Sequence, residues 1–423
     1  MSTSEQSVRS AAVSHTIDVP LLFAARTARL FAYGLLSVVL VLFLASAGLS
    51  ESQIGFLLTC TLLGDTAVSL WITTSADRVG RKRMLLLGAV LVIVTGAVLA
   101  STRSFIVLLM TCTLGVLSPS GNEVGPFLAV EQAALSQAVS DVRRTSVFAW
   151  YALTASFATA AGALVGGASA GLLQHGGWSE YASYRAIVIA YAVLGFALLV
   201  LFTGLSSHVE APARSVPDGE RKPWFGVHRS RKVVLRLSAL FGLDAFAGGF
   251  IVQSLLAYWL HLRFGLAPGS LGAVFFWANV LAGLSALAAA RIAARIGLIR
   301  TMVFTHLPSN VLLLFVPLMP DAFSAVALLL VRYSISQMDV PTRQSYSMAV
   351  VVPEERAAAA GITGVTRTVG SSLSPMLSTL FMTSAATMSL PLILAGGLKI
   401  LYDLLLYRSF IALRPPEEED RSP

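Results

Sequence analysis

Eight ionisable residues stand inside long apolar runs of this 423-residue chain: Asp65, Glu123, Asp244, Arg332, Asp339, Arg367, Lys399 and Asp403. A charge in the middle of an apolar membrane segment costs about 2.5–3.5 kcal/mol or more, so it faces a cavity or a partner. Five of the eight are acids and three are bases. Surplus acids in a low dielectric hold protons more tightly, which is the chemistry a proton-coupled carrier needs. Lys399 and Asp403 are four apart on one helix face and read as a local neutralising pair. Asn122, Gly125 and Pro126 flank Glu123; proline removes a backbone hydrogen bond and bends a helix, so this cluster is either a bend lining a path or a packing kink. Asp65 reads mainly as a packing or hydration residue, and His306 as a satisfied core histidine in preference to a proton relay. Gly162, Gly166, Gly167 and Gly171 permit close helix approach. No nucleophile triad, metal cluster or Gly-Lys-Ser/Thr phosphate loop stands out, so neither an enzyme nor an ATP-driven pump is expected, and no cofactor or metal. Cys60 and Cys112 sit inside apolar runs with no disulfide or metal spacing.

The elements that must hold these charges are membrane helices. The chain is 56% hydrophobic and 12% charged with a mean hydropathy of +0.76, a composition that cannot cover a soluble surface. About twelve runs approach the roughly 20 apolar residues needed to cross a bilayer. The first six are Leu21–Ala47, Ile54–Ala76, Met84–Ala100, Phe105–Leu135, Thr145–Leu173 and Arg185–Gly204. The second six are Leu237–His261, Ser270–Ala290, Thr301–Leu318, Phe323–Val350, Arg356–Thr383 and Ser389–Arg408. The expected fold class is all-α integral membrane, in two parallel six-helix halves. Its parts are an N-terminal tail (1–20), a first bundle (21–205), a linker (206–236), a second bundle (237–413) and a tail (414–423).

Orientation follows from the stretch Asp77-Arg78-Val79-Gly80-Arg81-Lys82-Arg83, which carries five charges in seven residues between two apolar runs. Placed inside, it leaves only Arg103, Arg185 and Arg263 outside, and it puts the linker bases, Arg291, Arg295, Arg300, Arg343, Arg356 and Arg408 inside. Both termini are then cytoplasmic, with no cleaved signal peptide, and the expected location is the plasma (inner) membrane. The net charge of +8 follows this asymmetry, which argues against a nucleic-acid partner. The expected partners are the lipid bilayer and a small-molecule substrate, and the expected state is a monomer.

The halves repeat. Gly48-Leu49 and Gly55 recur as Gly265-Leu266 and Gly272, 217 positions on, and the basic loop recurs as Ala293–Arg300 with its acid replaced by Ala294. Gln132 and Arg144 recur as Gln344 and Arg356, 212 positions on, which leaves about five extra residues in the fourth run around Ser118 to Pro126.

Ala76-Asp77-Arg78-Val79-Gly80-Arg81-Lys82-Arg83-Met84-Leu85-Leu86 resembles the loop signature between the second and third helices of the major facilitator superfamily. The charged half of the signature is complete. Thr73 and Ser75 replace its leading Gly and Leu. A weaker likeness to its drug/proton antiporters lies in Gly162 and Gly166, with Gly167 where a proline is usual and a degenerate end at Gly171; the fourth-span Arg-x-x-Gln-Gly of that branch is missing. The resemblance covers about Leu21 to Leu413. It implies a secondary transporter working by alternating access, with proton-coupled efflux of a small organic solute or toxicant as the leading activity. A proton symporter or facilitative importer is the alternative, and a non-transporting sensor or interaction protein is the rival of another class. The resemblance also implies that the fourth, seventh and tenth helices line a central cavity. Glu123 and Asp244 are then the candidate proton or cation carriers, and Arg332 a counter-charge or anion ligand, unless the three form a structural salt-bridge network; Asn122 lies beside them. It further implies a gating loop in which Asp77 latches onto the N-terminus of the eleventh helix near Ala357 to Gly361. In that loop Gly80 permits the turn, and Arg78 or Arg81 bridges to Glu131 or Asp141. Lys82 and Arg83 read as positive-inside anchors. Asp77→Asn, with surface expression and transport measured together, is expected to impair transport at normal expression; unimpaired transport would exclude the latch.

Overall fold

The computed structural model describes residues 3–122, 127–139, 141–210, 227–352 and 355–413. These residues form fifteen α-helices with no strand among them. In chain order they are α1 (Thr3–Ser46), α2 (Glu51–Val79), α3 (Arg81–Ser101), α4 (Phe105–Leu114), α5 (Phe127–Ala138), α6 (Asp141–His175) and α7 (Glu180–Thr203). There follow α8 (Arg231–Gly249), α9 (Gln253–Phe264), α10 (Pro268–Ile296), α11 (Leu298–Phe315), α12 (Ala322–Ser336), α13 (Asp339–Ala349), α14 (Arg356–Met382) and α15 (Leu390–Phe410). Among the described residues, ten helical stretches are long and apolar enough to cross a membrane. The pairs α8–α9 and α12–α13 each count as one such stretch, while α4 is shorter. Residues 211–226, most of the expected linker, lie outside the described residues, as does the tail from 414.

The chain forms two compact units. The first comprises residues 1–49, 63–216 and 268–276; the second comprises 50–62, 217–267 and 277–423. In the first unit α1 lies along α6, and a Cβ on Gly162 would overlap the Phe31 carbonyl and come within 2.8 Å of Leu35 N. Of the glycines that marked the repeat, Gly272 and Gly55 also sit at close helix contacts, while Gly48 and Gly265 turn the chain at positive φ. A Cβ on Gly272 would meet Ala163 O at 2.8 Å within the first unit, and one on Gly55 would meet Met376 Cα at 2.8 Å within the second.

Among the described residues, three spans are broken. The fourth, expected as one bent helix from Phe105 to Leu135, leaves helical geometry at Gly115, and its described helices are α4 and α5. The seventh breaks between α8 and α9, and the tenth between α12 and α13. Backbone freed by a break inside hydrocarbon has no water to bond, so side chains must supply the missing donors. Tyr191 Oη donates to Val116 O at 2.7 Å and Thr159 Oγ1 to Gly121 O at 3.3 Å. At the seventh-span break, Ser378 on α14 donates to Phe250 O at 2.8 Å, and Ser374 donates to Phe246 O.

Two helix entrances are closed by carboxylates distant in sequence. Glu210 accepts from the backbone N–H of Arg81 at 2.6 Å and of Lys82 at 3.3 Å, at the start of α3. Lys82 Nζ in turn donates to Thr203 O (2.8 Å) and Leu205 O (2.6 Å) at the end of α7. Glu355 accepts from three successive N–H groups at the entrance to α8: His228 (2.7 Å), Arg229 (2.8 Å) and Ser230 (2.9 Å). Burial alone would raise the Glu355 pKa, but these backbone donors prevail and hold it down at about 2, against an ordinary 4.5. A depressed carboxylate pKa contributes stability above the ordinary value and loses it as pH falls through the folded one. Glu355→Gln is therefore expected to lower the unfolding temperature of detergent-purified protein at pH 7, with the difference from wild type closing between about pH 4.5 and about pH 2.

Candidate functional site

The second unit holds a buried ionic cluster built on Asp244. This residue lies on α8 one turn before the break and is 4% exposed. Lys399 Nζ on α15 lies 2.5 Å from its Oδ1, and Arg343 Nη1 on α13 lies 3.0 Å from its Oδ2. The same Nη1 donates to Asp339 Oδ2 at 3.0 Å, so one nitrogen serves two carboxylates. Arg367 Nη1 on α14 stands 3.8 Å from Asp244 Oδ2. On α11, His306 Nδ1 is 2.9 Å from Asp403 Oδ1 and its Nε2 is 4.0 Å from Asp244 Oδ1. Asn310 donates to Asp403 Oδ2 at 2.9 Å. The imidazole thus stands between two carboxylates, one at each ring nitrogen, a geometry suited to holding or passing a proton.

The first unit holds a smaller cluster. Arg29 on α1 grips Glu131 on α5 with both terminal nitrogens, at 2.5 and 2.7 Å, and both residues are fully buried. Tyr151 Oη on α6 donates to the same carboxylate at 2.5 Å. Arg29 stacks over the Phe127 ring at 4.5 Å and Arg26 over the Tyr151 ring at 4.3 Å, where the ring faces offset part of the desolvation of a guanidinium.

These clusters repeat one device with the charges exchanged. In the first half a basic residue of the first span meets an acid of the fourth; in the second half an acid of the seventh meets a base of the tenth. Arg29 and Asp244 are 215 positions apart and Glu131 and Arg343 are 212 apart, close to the sequence repeat.

The expected residues fare unequally. Asp244 is the hub. Arg332 is buried at 6% exposure in the same unit, its guanidinium 5.1 Å from the Tyr333 ring. Glu123, Gly125 and Pro126 lie outside the described residues, so their expected roles and their meeting with Asp244 are not described. Asn122 is exposed. Lys399 and Asp403 are not a local pair: Lys399 reaches across to Asp244 while Asp403 binds His306 and Asn310, because α15 points the two side chains at different neighbours. His306 is a satisfied core histidine, but its partners are the cluster's own carboxylates. Glu131 is not a partner of the basic loop, because Arg29 and Tyr151 occupy its oxygens. The side chain of Asp141 lies outside the described residues. Asp77, 67% exposed, accepts from Arg81 Nε at 2.9 Å; Arg78 is exposed and Gly80 has φ +112°. Lys82 is more than an anchor, since its ammonium closes the end of α7.

Two residues of the clusters carry no mark of their own in the sequence. Arg29 lies in the first apolar run with no motif beside it. Arg343 is expected at the inner end of the tenth span, yet it is 7% exposed inside the cluster. The repeat carried the signal: Gln132 matches Gln344, so Glu131 stands opposite Arg343 one position earlier.

The family model of the Major Facilitator Superfamily matches residues 22–375. The chain belongs to that superfamily and is a multi-pass membrane protein, a secondary transporter and not an enzyme. Along its length it is 27% identical to the uncharacterized membrane protein YJR124C of Saccharomyces cerevisiae, over 94% of each chain. Its fold is similar to that of a bacterial homolog of the human lysosomal transporter Spinster (TM-score 0.74, 14% identity, 95% of this chain and 98% of that one). It is also similar to the nucleoside transporter NupG (0.71, 12%, 93% and 99%) and to a D-xylose-proton symporter (0.69, 14%, 92% and 97%).

Removing one partner of a buried ion pair strands the other charge, at about 3–5 kcal/mol. Glu131→Leu alone is expected to destabilise the purified protein by about that amount, and Arg29→Met added to it to recover most of the loss. Thermal unfolding of the single and double variants reads both outcomes.

Proposed function

We propose that this transporter is proton-coupled and exports a small organic solute across the plasma (inner) membrane by alternating access, with both termini cytoplasmic and the proton gradient, not a cofactor, as driving force. It is proposed to work as a monomer whose partners are the bilayer and the solute. One observation carries the coupling: Asp244, buried in a membrane helix, is held by Lys399 and Arg343 and faced by His306. Protonating that carboxylate removes the charge that binds both cations, so a single proton loosens contacts between α8, α13 and α15. The His306–Asp403 pair offers a second proton site beside it. The cytoplasmic placement of the termini is supported by the basic asymmetry of the loops.

Import by proton symport is the second reading, favoured by the likeness to a D-xylose-proton symporter. Everted membrane vesicles separate the two: export predicts proton release on solute addition and solute accumulation under an acid-inside gradient, and symport predicts the reverse coupling. A protein that binds solute in proteoliposomes yet never accumulates it would be a sensor, and both transport readings would fail. Asp244→Asn is expected to lower gradient-driven accumulation at least about tenfold while solute counterflow persists; equal loss of both, or of neither, would remove Asp244 from the coupling step.

A further inference from the structure

We propose that the Asp244 cluster binds the carboxylate of a monoanionic organic solute through Arg332 and Arg367. The inference rests on the reading of this cluster as the transport site and names the substrate class that site would take.

The charge balance points there first. Among the described residues, the cluster's carboxylates are Asp244, Asp339 and Asp403 and its ion-paired permanent cations are Arg343, Arg367 and Lys399; buried Arg332 adds a fourth cation, whose charge also acts on Asp244 and Asp339. Among these residues, three carboxylates against four permanent cations leave one positive charge over inside an apolar bundle. Such a surplus is costly in a low dielectric and is relieved by one negative charge from outside the protein.

Hydrogen bonding says where that charge would sit. Asp244 is taken by Lys399 and Arg343, and Asp403 by His306 and Asn310. Two guanidinium nitrogens are left: buried Arg332 Nε and buried Arg367 Nη1 have no hydrogen-bond partner among the described residues. Arg332 is 94% buried by its 6% exposure, so its unmet donor is not served from a surface. Arg367 keeps a 34% exposed side chain, which leaves the cluster open on that side. A buried charged donor without a hydrogen bond is costly, so these nitrogens favour an incoming acceptor.

The acceptor's chemistry follows. A guanidinium presents planar, parallel N–H groups that match the two oxygens of a carboxylate. One net charge suits a monoanion; a neutral solute leaves the surplus in place, a cation enlarges it, and a phosphate dianion overshoots it.

The test uses the purified full-length protein and three compounds of one shape: benzoate, benzamide and benzylamine, with inorganic phosphate as a fourth probe. Benzoate is expected to raise the unfolding temperature in a saturable way, and the other three are not. Arg332→Gln, Arg332→Lys and Arg367→Gln are each expected to weaken benzoate binding by at least about tenfold. The lysine variant keeps the charge and removes the fork, and the comparison of compounds on the wild type stands even where a variant does not fold. The assignment is overturned if benzoate does not stabilise, if benzamide, benzylamine or phosphate stabilises as well, or if the arginine variants bind benzoate normally. Uptake of the same compounds into proteoliposomes, corrected against protein-free liposomes, distinguishes the two readings. Benzoate binding and uptake that ignore a pH gradient would sink the proton coupling and leave the anion site standing. Gradient-driven uptake of benzamide or benzylamine would sink the anion site and leave the coupling standing.

Discussion

A carboxylate inside a hydrocarbon-facing helix bundle stays ionised only where cations meet it, and Asp244 meets them from three other helices. Lys399 comes from α15, Arg343 from α13 and Arg367 from α14, while His306 of α11 faces the same oxygen as Lys399. Continuum estimates put the cost of moving one bare charge into such a medium at several kcal/mol even after relaxation. The packing of the second unit therefore has to bring these side chains to one point. The helices there are apolar enough to pack in many registers; the ion pairs select one. The first unit solves the same problem with a bidentate Arg29–Glu131 pair and a tyrosine hydroxyl, and with opposite signs on the two spans.

Broken helices impose a second demand. Each break releases carbonyls into a region without water, and the chain answers with hydroxyls from a neighbouring helix: Tyr191 and Thr159 for the fourth span, Ser374 and Ser378 for the seventh. The seventh-span break lies one turn beyond Asp244, so non-helical backbone held by side-chain hydroxyls stands close to the main charged contact. Serine and threonine on the sixth and fourteenth helices are thus part of the apparatus, although nothing in their own sequence context marks them.

Much of the architecture was legible because bilayer physics writes it in coarse letters: apolar run length, charge asymmetry and the 217-residue repeat. The hub was legible too, since an aspartate at mid-span has few reasons to be there. The partners were harder to see. Whether Lys399 turns to Asp403 or to Asp244 depends on side-chain direction around α15, which spacing alone does not decide, and the four-residue spacing pointed to the wrong partner. Arg343 was hidden by its distance from the middle of the tenth span, where helix ends and loops look alike in sequence. The break in the seventh span carries no proline, the tenth has Pro341 only inside the first turn of the helix that follows the break, and the fourth breaks earlier than its proline, at Gly115. Glu210 and Glu355 look like ordinary loop acids until the helix entrances they close are in view.

Those two carboxylates bear on the order in which the protein is made. Glu210 is 129 residues beyond the Arg81 amide it binds, and Glu355 is 127 beyond that of His228. At about 5–20 residues per second, roughly ten seconds of synthesis separate each helix entrance from the acid that closes it. The third span therefore enters the bilayer with its first amides open and is sealed only once the sixth has been made. The same delay recurs for the seventh span, which waits for the connection between the tenth and eleventh. Each closing acid marks a point in biosynthesis at which an earlier helix can finish its entrance.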